Sequence, residues 1–151
     1  MKQEQILEFR LLVQRFIRQF GLLDQTKTPC GFDLSPSQVM AMQELETETM
    51  TVRELAEKLQ LDRSTVSRLA DALVKGGFVH REINEQNRRE VLLSLTEKGK
   101  NSIRQVRDQS VRFFQAMLRH VKEEEQGELL RAFRLLTGAL TRVREEEAAG
   151  R

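Results

Sequence analysis

The run Arg63-Ser64-Thr65-Val66-Ser67-Arg68 puts three hydroxyls and two guanidinium groups within less than two turns of a helix. Hydroxyls of this kind reach phosphate oxygens or base edges. An arginine can grip guanine through two parallel hydrogen bonds, a discrimination of about 1–3 kcal/mol. A helix N-terminus at this point would itself favour a phosphate. Ser64 and Thr65 have a second, purely structural use, since both can help cap the helix. Arg88 and Arg89 stand side by side in a polar stretch. Such a pair is ordinarily a solvated loop, but beside a helix of this composition it can enter a minor groove or hold the DNA backbone. Arg81 reads as a phosphate contact and Arg53 as a weaker one. Across residues 63–89 six Lys/Arg face three Asp/Glu, while the chain as a whole carries only +2. The positive charge is local, which is how a nearly neutral chain could bind double-stranded DNA.

Other chemistries find little to work with. Cys30 is the one cysteine, so an intramolecular disulfide and a cysteine-based zinc cluster are excluded. Its plain reading is a thiol in a connecting loop. Only Lys27 is at hand to lower its pKa, so the sequence does not argue reactivity. His80 and His120 stand alone, without metal-ligand spacing, and read as surface or strand residues. The chain has no glycine-rich phosphate loop, triad signature or paired carboxylates. It reads as no enzyme, with no cofactor and no metal.

The elements that must carry these residues follow from periodicity. Ile6, Phe9, Val13, Phe16 and Phe20 recur at 3, 4, 3, 4, one face of a helix that Gly21 ends. Thr26 to Asp33 reads as a loop. Ser35, Pro36 and Gln38 make an N-cap, a first-turn proline and a capping box for a second helix, with Val39, Met42 and Leu45 inward. Thr51 and Glu54 do the same for a third, with Leu55, Ala56 and Leu59 inward. Gln60-Leu61 is a tight link to Asp62, the N-cap of a fourth helix that runs to the stop at Gly76-Gly77. The period then becomes two: Phe78 to Arg81 and Val91 to Leu95 are strands joined by the polar residues 83–90. A fifth helix from about Thr96 shows Ile103, Val106, Ser110, Phe113 and Met117. A sixth, 123–147, shows Leu129, Phe133, Leu136, Leu140 and Val143.

Two short helices, a tight link and a β-hairpin make a winged helix-turn-helix. The fold class is therefore mainly α with a small β-hairpin, in a single domain over 1–151. The winged helix-turn-helix covers about 35–99, and long dimerisation helices cover 1–25 and 96–147. With 32% charged and 39% hydrophobic residues, the terminal helices carry more apolar face than a lone small domain needs, which predicts a homodimer of intertwined ends. No apolar run is long enough to span a membrane. Glu4 and Glu8 stand where a signal peptide would be apolar. The expected compartment is the cytoplasm.

The fourth helix and hairpin also carry a resemblance. Leu-Asp-Arg-Ser-Thr-Val-Ser-Arg-Leu at 61–69, Gly-Gly-Phe-Val at 76–79, Arg81, and Asn-Glu-Gln-Asn-Arg-Arg-Glu-Val-Leu-Leu-Ser-Leu-Thr-Glu-Lys-Gly at 84–99 resemble the MarR (multiple antibiotic resistance regulator) family. Leu-Ser-Pro-Ser-Gln at 34–38 extends the match. The family wing commonly has Asp where this chain has Asn84 and Asn87. Arg89 matches the wing arginine that enters the minor groove, and Asn87 matches the acidic residue that braces it.

The resemblance implies a transcription regulator, usually a repressor, that binds a pseudo-palindromic operator as a homodimer and answers to a small-molecule effector. It names Arg63, Ser64, Thr65, Ser67, Arg68, Arg81, Arg88 and Arg89 as DNA-binding. It offers Phe32, Met40, Met42 and Met50 as an effector pocket, with core packing the competing role. Its thiol-based members add an oxidant-sensing reading of Cys30, although the early first-helix cysteine of the peroxide-responsive members is missing here. A winged helix used for protein–protein contact is the rival, and the basic wing speaks against it.

Overall fold

The computed structural model describes residues 1–23, 28 and 33–150. The candidate thiol Cys30 and the candidate pocket residue Phe32 lie outside the described residues. The chain divides into two compact units, Met1–Ser110 and Val111–Arg151.

In the first unit, α1 spans Gln3–Phe20. Gly21 ends it in the left-handed region at φ 84, where glycine alone is unstrained, and its N–H returns to the carbonyl of Arg18. The helix has no buried residue, and Ile6, Phe9 and Phe16 stand exposed on the expected seam. Both capping boxes form as read. For α2 (Pro36–Thr47) the Gln38 N–H donates to Ser35 Oγ at 3.2 Å, and the Ser35 N–H donates to Gln38 Oε1 at 2.8 Å. For α3 (Val52–Leu59) Glu54 and Thr51 exchange the same pair of bonds.

A strand the periodicity does not announce, β1 (Met50–Thr51), lies between them. Two residues are too few to show a period, and Thr51 serves as both strand and cap. With β2 (Val79–Ile83) and β3 (Val91–Leu95) it makes an antiparallel sheet in the order β1-β3-β2, so the hairpin is part of a three-stranded sheet. Met50 pairs with Leu93, and Arg81 also faces Leu93 from the other side.

The first hairpin strand starts one residue later than its expected beginning at Phe78. That residue is taken up in stopping α4 (Arg63–Lys75): Phe78 N–H donates to Leu73 O and Gly77 N–H to Val74 O, each at 2.9 Å, with Gly77 at φ 74. This pair of bonds satisfies carbonyls that the helix end would leave bare.

The start of α5 (Glu97–Leu118) is bolted to the same point. Thr96 Oγ1 donates to Gly77 O at 2.7 Å and accepts from Gly99 N at 3.0 Å. Lys98 Nζ donates to Gly76 O at 2.7 Å and lies 4.4 Å from the centre of the Phe78 ring. A Cβ on Gly99 would come within 2.2 Å of the Phe78 carbonyl oxygen. The Thr-Glu-Lys-Gly run thus locks the end of the fourth helix to the beginning of the fifth.

The core gathers Val39, Met42 and Leu45 of α2, Leu55 of α3, Val66, Ala70 and Leu73 of α4, Leu93 of β3 and Ile103 and Val106 of α5. Met42 and Met50 are core residues, 0% and 2% exposed, while Met40 points outward at 52%. Residues 40 and 42 fall on opposite faces of α2, because two residues turn a helix by about 200°. They cannot line one pocket together, and packing claims Met42 and Met50.

In the second unit, Gln126 Nε2 donates to the carbonyls of Leu118 and Val121, both at 3.2 Å, and closes the turn before α6 (Glu123–Ala149). That helix also buries no residue; Leu130, Phe133, Leu135, Leu140 and Val143 are exposed. Among the described residues no helix is long and apolar enough to cross a membrane.

Candidate nucleic-acid interface

The link between α3 and α4 is tight because Gln60 takes the left-handed conformation, φ 54, at the end of α3. Its N–H and that of Leu61 close on Glu57 O and Ala56 O. Asp62 then caps α4, accepting from Thr65 N at 2.8 Å. Val66, Ala70 and Leu73 anchor the helix in the core, which turns Arg63, Ser64 and Arg68 to the outside and leaves Thr65 and Ser67 half-buried.

The hairpin tip is built on two asparagines. Asn84 Oδ1 accepts from Gln86 N at 3.0 Å and Asn87 Oδ1 from Arg89 N at 3.3 Å. Each side chain imitates a turn of backbone. Asn87 therefore braces the backbone of Arg89 rather than its guanidinium, a job that asparagine does as well as aspartate.

Between α4 and this wing lies an open cleft of about 590 Å³. Arg63, Ser64 and Ser67 line it from α4, Thr51, Val52 and Arg53 from the start of α3, Arg81 from β2, and Asn87, Arg89, Glu90 and Val91 from the wing. The structure thus brings five of the eight expected DNA-facing residues to one concavity, with Arg53 beside them. Thr65, Arg68 and Arg88 do not line it.

The cations differ in what they have left to offer. Arg81 Nη1 pairs with Asp71 Oδ1 of α4 at 2.5 Å, and Arg53 pairs with Glu57 at 3.4 Å. Both charges are answered within the chain. The Asp71 partner of Arg81 escapes sequence reading because ten residues and a change from helix to strand separate them. Among the described residues no carboxylate pairs with Arg63, Arg68, Arg88 or Arg89. Arg68 Nη2 makes a long hydrogen bond, 3.4 Å, to Thr65 Oγ1.

Ser64 and Thr65 do the structural work that their position allowed. Both hydroxyls donate to the Asp62 carboxylate, Thr65 at 2.6 Å. The Ser64 hydroxyl first, then the hydroxyl and N–H of Thr65, hold the Asp62 carboxyl well below the usual carboxylate range. Asp62, read from sequence only as a cap, thereby organises the outward end of the helix. His80 is exposed on β2 and His120 in the turn before α6.

This arrangement has relatives. The MarR family model matches residues 34–91, from the residue before the cap of α2 to the first residue of β3. An uncharacterised HTH-type transcriptional regulator of Bacillus subtilis, YxaD, is 31% identical over 130 residues, 83% of this chain and 89% of its own. The chain belongs to the MarR family. A MarR family protein from Bacillus stearothermophilus superposes with a TM-score of 0.73 at 27% identity, covering 93% of this chain and 99% of that one. A mutant MarR from E. coli, complexed with operator DNA, gives 0.68 at 24% identity over 88% and 95% of the two chains. The molecule is accordingly a MarR-type transcriptional regulator with a DNA-binding winged helix, a class distinct from enzymes.

Proposed function

We propose that two copies of this chain bind a pseudo-palindromic operator in duplex DNA and repress the genes beside it. The α4 helices enter successive major grooves, about 34 Å apart. The wings set Arg89 into the flanking minor grooves and Arg88 against the backbone. One observation carries this reading: Arg63, Ser64 and Ser67 of α4 share a cleft with Arg89 of the wing, and Arg63, Arg68, Arg88 and Arg89 have no carboxylate partner among the described residues. The exposed apolar residues of α1 and, separately, of α6 support pairing of copies, because an exposed apolar stripe marks an interface. The E. coli relative complexed with operator DNA supports the duplex as ligand. A small-molecule effector would release the operator by binding one spacing of the two α4 helices better than the other.

Two measurements on the full chain test this. Sedimentation at micromolar concentration should give twice 17.6 kDa. Affinity for duplex DNA should fall steeply with salt. A monomer that holds palindromic DNA tightly removes the dimer. Absence of duplex binding at any salt concentration supports a winged helix for protein contacts instead.

A further inference from the structure

We propose that Asp62 fixes the hydrogen-bond polarity of α4, so that Ser64 meets the duplex as an acceptor and selects a base presenting an amino group in the major groove, adenine or cytosine. This inference rests on the duplex-binding reading above. A hydroxyl has one proton to give and two lone pairs to receive. The Ser64 proton is spent on Asp62 Oδ1, which also takes the Thr65 N–H, and the Thr65 proton is spent on Asp62 Oδ2. These bonds to an ionised acceptor are stronger than neutral ones, so they persist when the helix docks. The oxygen of Thr65 already receives Arg68. Ser64 is exposed and receives no donor among the described residues, so its lone pairs are what it presents to a ligand.

Phosphate oxygens are acceptors and give such a hydroxyl nothing to bind. In the major groove the donors are the adenine N6 and cytosine N4 amino groups, whereas guanine and thymine show acceptors at the matching edge. The Asp62 charge also neutralises the positive end of the helix dipole. Phosphate is therefore turned away from the first turn of α4 and left to the arginines. Asp62 is a positioning residue in this scheme, and Ser64 is the residue that reads.

The test starts with fragments selected from random duplex DNA by the full chain. Within the recovered half-site each adenine is replaced in turn by purine and each cytosine by 2-pyrimidinone, which deletes the amino group alone. At one position the native protein should lose about three- to tenfold in affinity, the size of one neutral hydrogen bond. Ser64→Ala should show no loss there. Asp62→Ala removes both acceptor oxygens and so frees the Ser64 proton, and it should accept thymine or guanine at that position as readily as adenine or cytosine. The proposal is overturned if no amino deletion matters to the native protein, if the loss is the same in Ser64→Ala, or if Asp62→Ala selects the same base. Should loss of the cap in Asp62→Ala perturb the fold, Ser64→Ala on amino-deleted duplexes decides alone. Failure to bind any duplex would instead overturn the DNA-binding reading, and this inference with it.

Discussion

Removing Arg89 should change the salt dependence of DNA binding by an amount the ion-pair pattern sets in advance. Four guanidinium groups per protomer, Arg63, Arg68, Arg88 and Arg89, have no carboxylate partner among the described residues. A dimer then brings eight free cations to the duplex. Each neutralised phosphate contributes about −0.9 to the slope of log K against log salt, so the native slope should approach about −7. Arg89→Ala deletes two cations per dimer and should flatten the slope by about two units. The affinity lost should be about 60-fold at 0.1 M salt, on the same counterion arithmetic, and close to nothing near 1 M. Arg81 supplies the control. Its charge is matched by Asp71, so Arg81→Met combined with Asp71→Asn removes one charge of each sign and should leave the slope within half a unit of native. The assay is fluorescence anisotropy of a labelled duplex recovered by selection, titrated at five or more salt concentrations. An unchanged slope in Arg89→Ala would mean the wing arginine touches no DNA. A shift of two units in the Arg81/Asp71 pair would mean that Arg81 reaches phosphate and that its ion pair opens on binding.

Four further outcomes concern the scaffold under this surface. Gly99→Ala drives a Cβ into the Phe78 carbonyl and should cost about 2–3 kcal/mol in urea unfolding, at the upper end of overpacking penalties. Gln60→Gly relieves a left-handed residue and should stabilise by about 0.5–1 kcal/mol, read as a higher urea midpoint at unchanged slope. Asp71→Asn should leave the thermal midpoint nearly native, because an exposed ion pair contributes about 0–1 kcal/mol, yet hydrogen exchange at the β2 amides should quicken as Arg81 loses its anchor. The Glu54 carboxyl is lowered by hydrogen bonds from the Thr51 N–H and hydroxyl and by Arg53, and the Asp62 carboxyl by Ser64 and Thr65. Both groups are depressed in the folded chain, so their support is present above the ordinary carboxylate pKa and is lost as pH falls through the folded value. Thermal midpoints of the native protein and of Asp62→Ala should therefore differ at neutral pH and converge only well below about pH 4.

What the sequence discloses and what it hides divide along the range of the interactions. The caps at Ser35 and Thr51 are legible because the partners, Gln38 and Glu54, lie three residues on, a distance the helix itself fixes. Gly21 and Gly77 are legible because left-handed backbone calls for glycine. Gln60 occupies the same conformation without the glycine, between the buried Leu55 and Ala56 of α3 and the buried Val66 of α4. The terminal seams are visible from their 3, 4 spacing. β1 is not, since its two residues owe their strand character to β3. In the interface, residue types announced the cations but not their partners: the Arg81–Asp71 pair exists only once β2 lies beside α4. The resemblance matched Asn87 to the residue that braces Arg89 without telling which part of Arg89 it holds. The Met40 and Met42 proposal fails on elementary helix geometry, which places them on opposite faces whatever else α2 packs against.

The fastening of α4 constrains how its DNA affinity can be regulated. Asp62 holds the N-terminal end, the Gly77 and Phe78 turn together with Thr96 and Lys98 holds the C-terminal end, and Asp71 ties the middle to β2 through Arg81. Arg107 of α5 also pairs with Glu46 at the end of α2. To reshape the reading surface a ligand would have to break several of these at once, at about a kcal/mol for each neutral bond and more for the charged ones. Coupling energies between sites are typically only about 1–3 kcal/mol. In the proposed dimer the less costly variable is the separation of two intact reading surfaces, which changes no bond within either. A small change in that distance is enough, because the grooves of the duplex admit both helices only at one helical repeat.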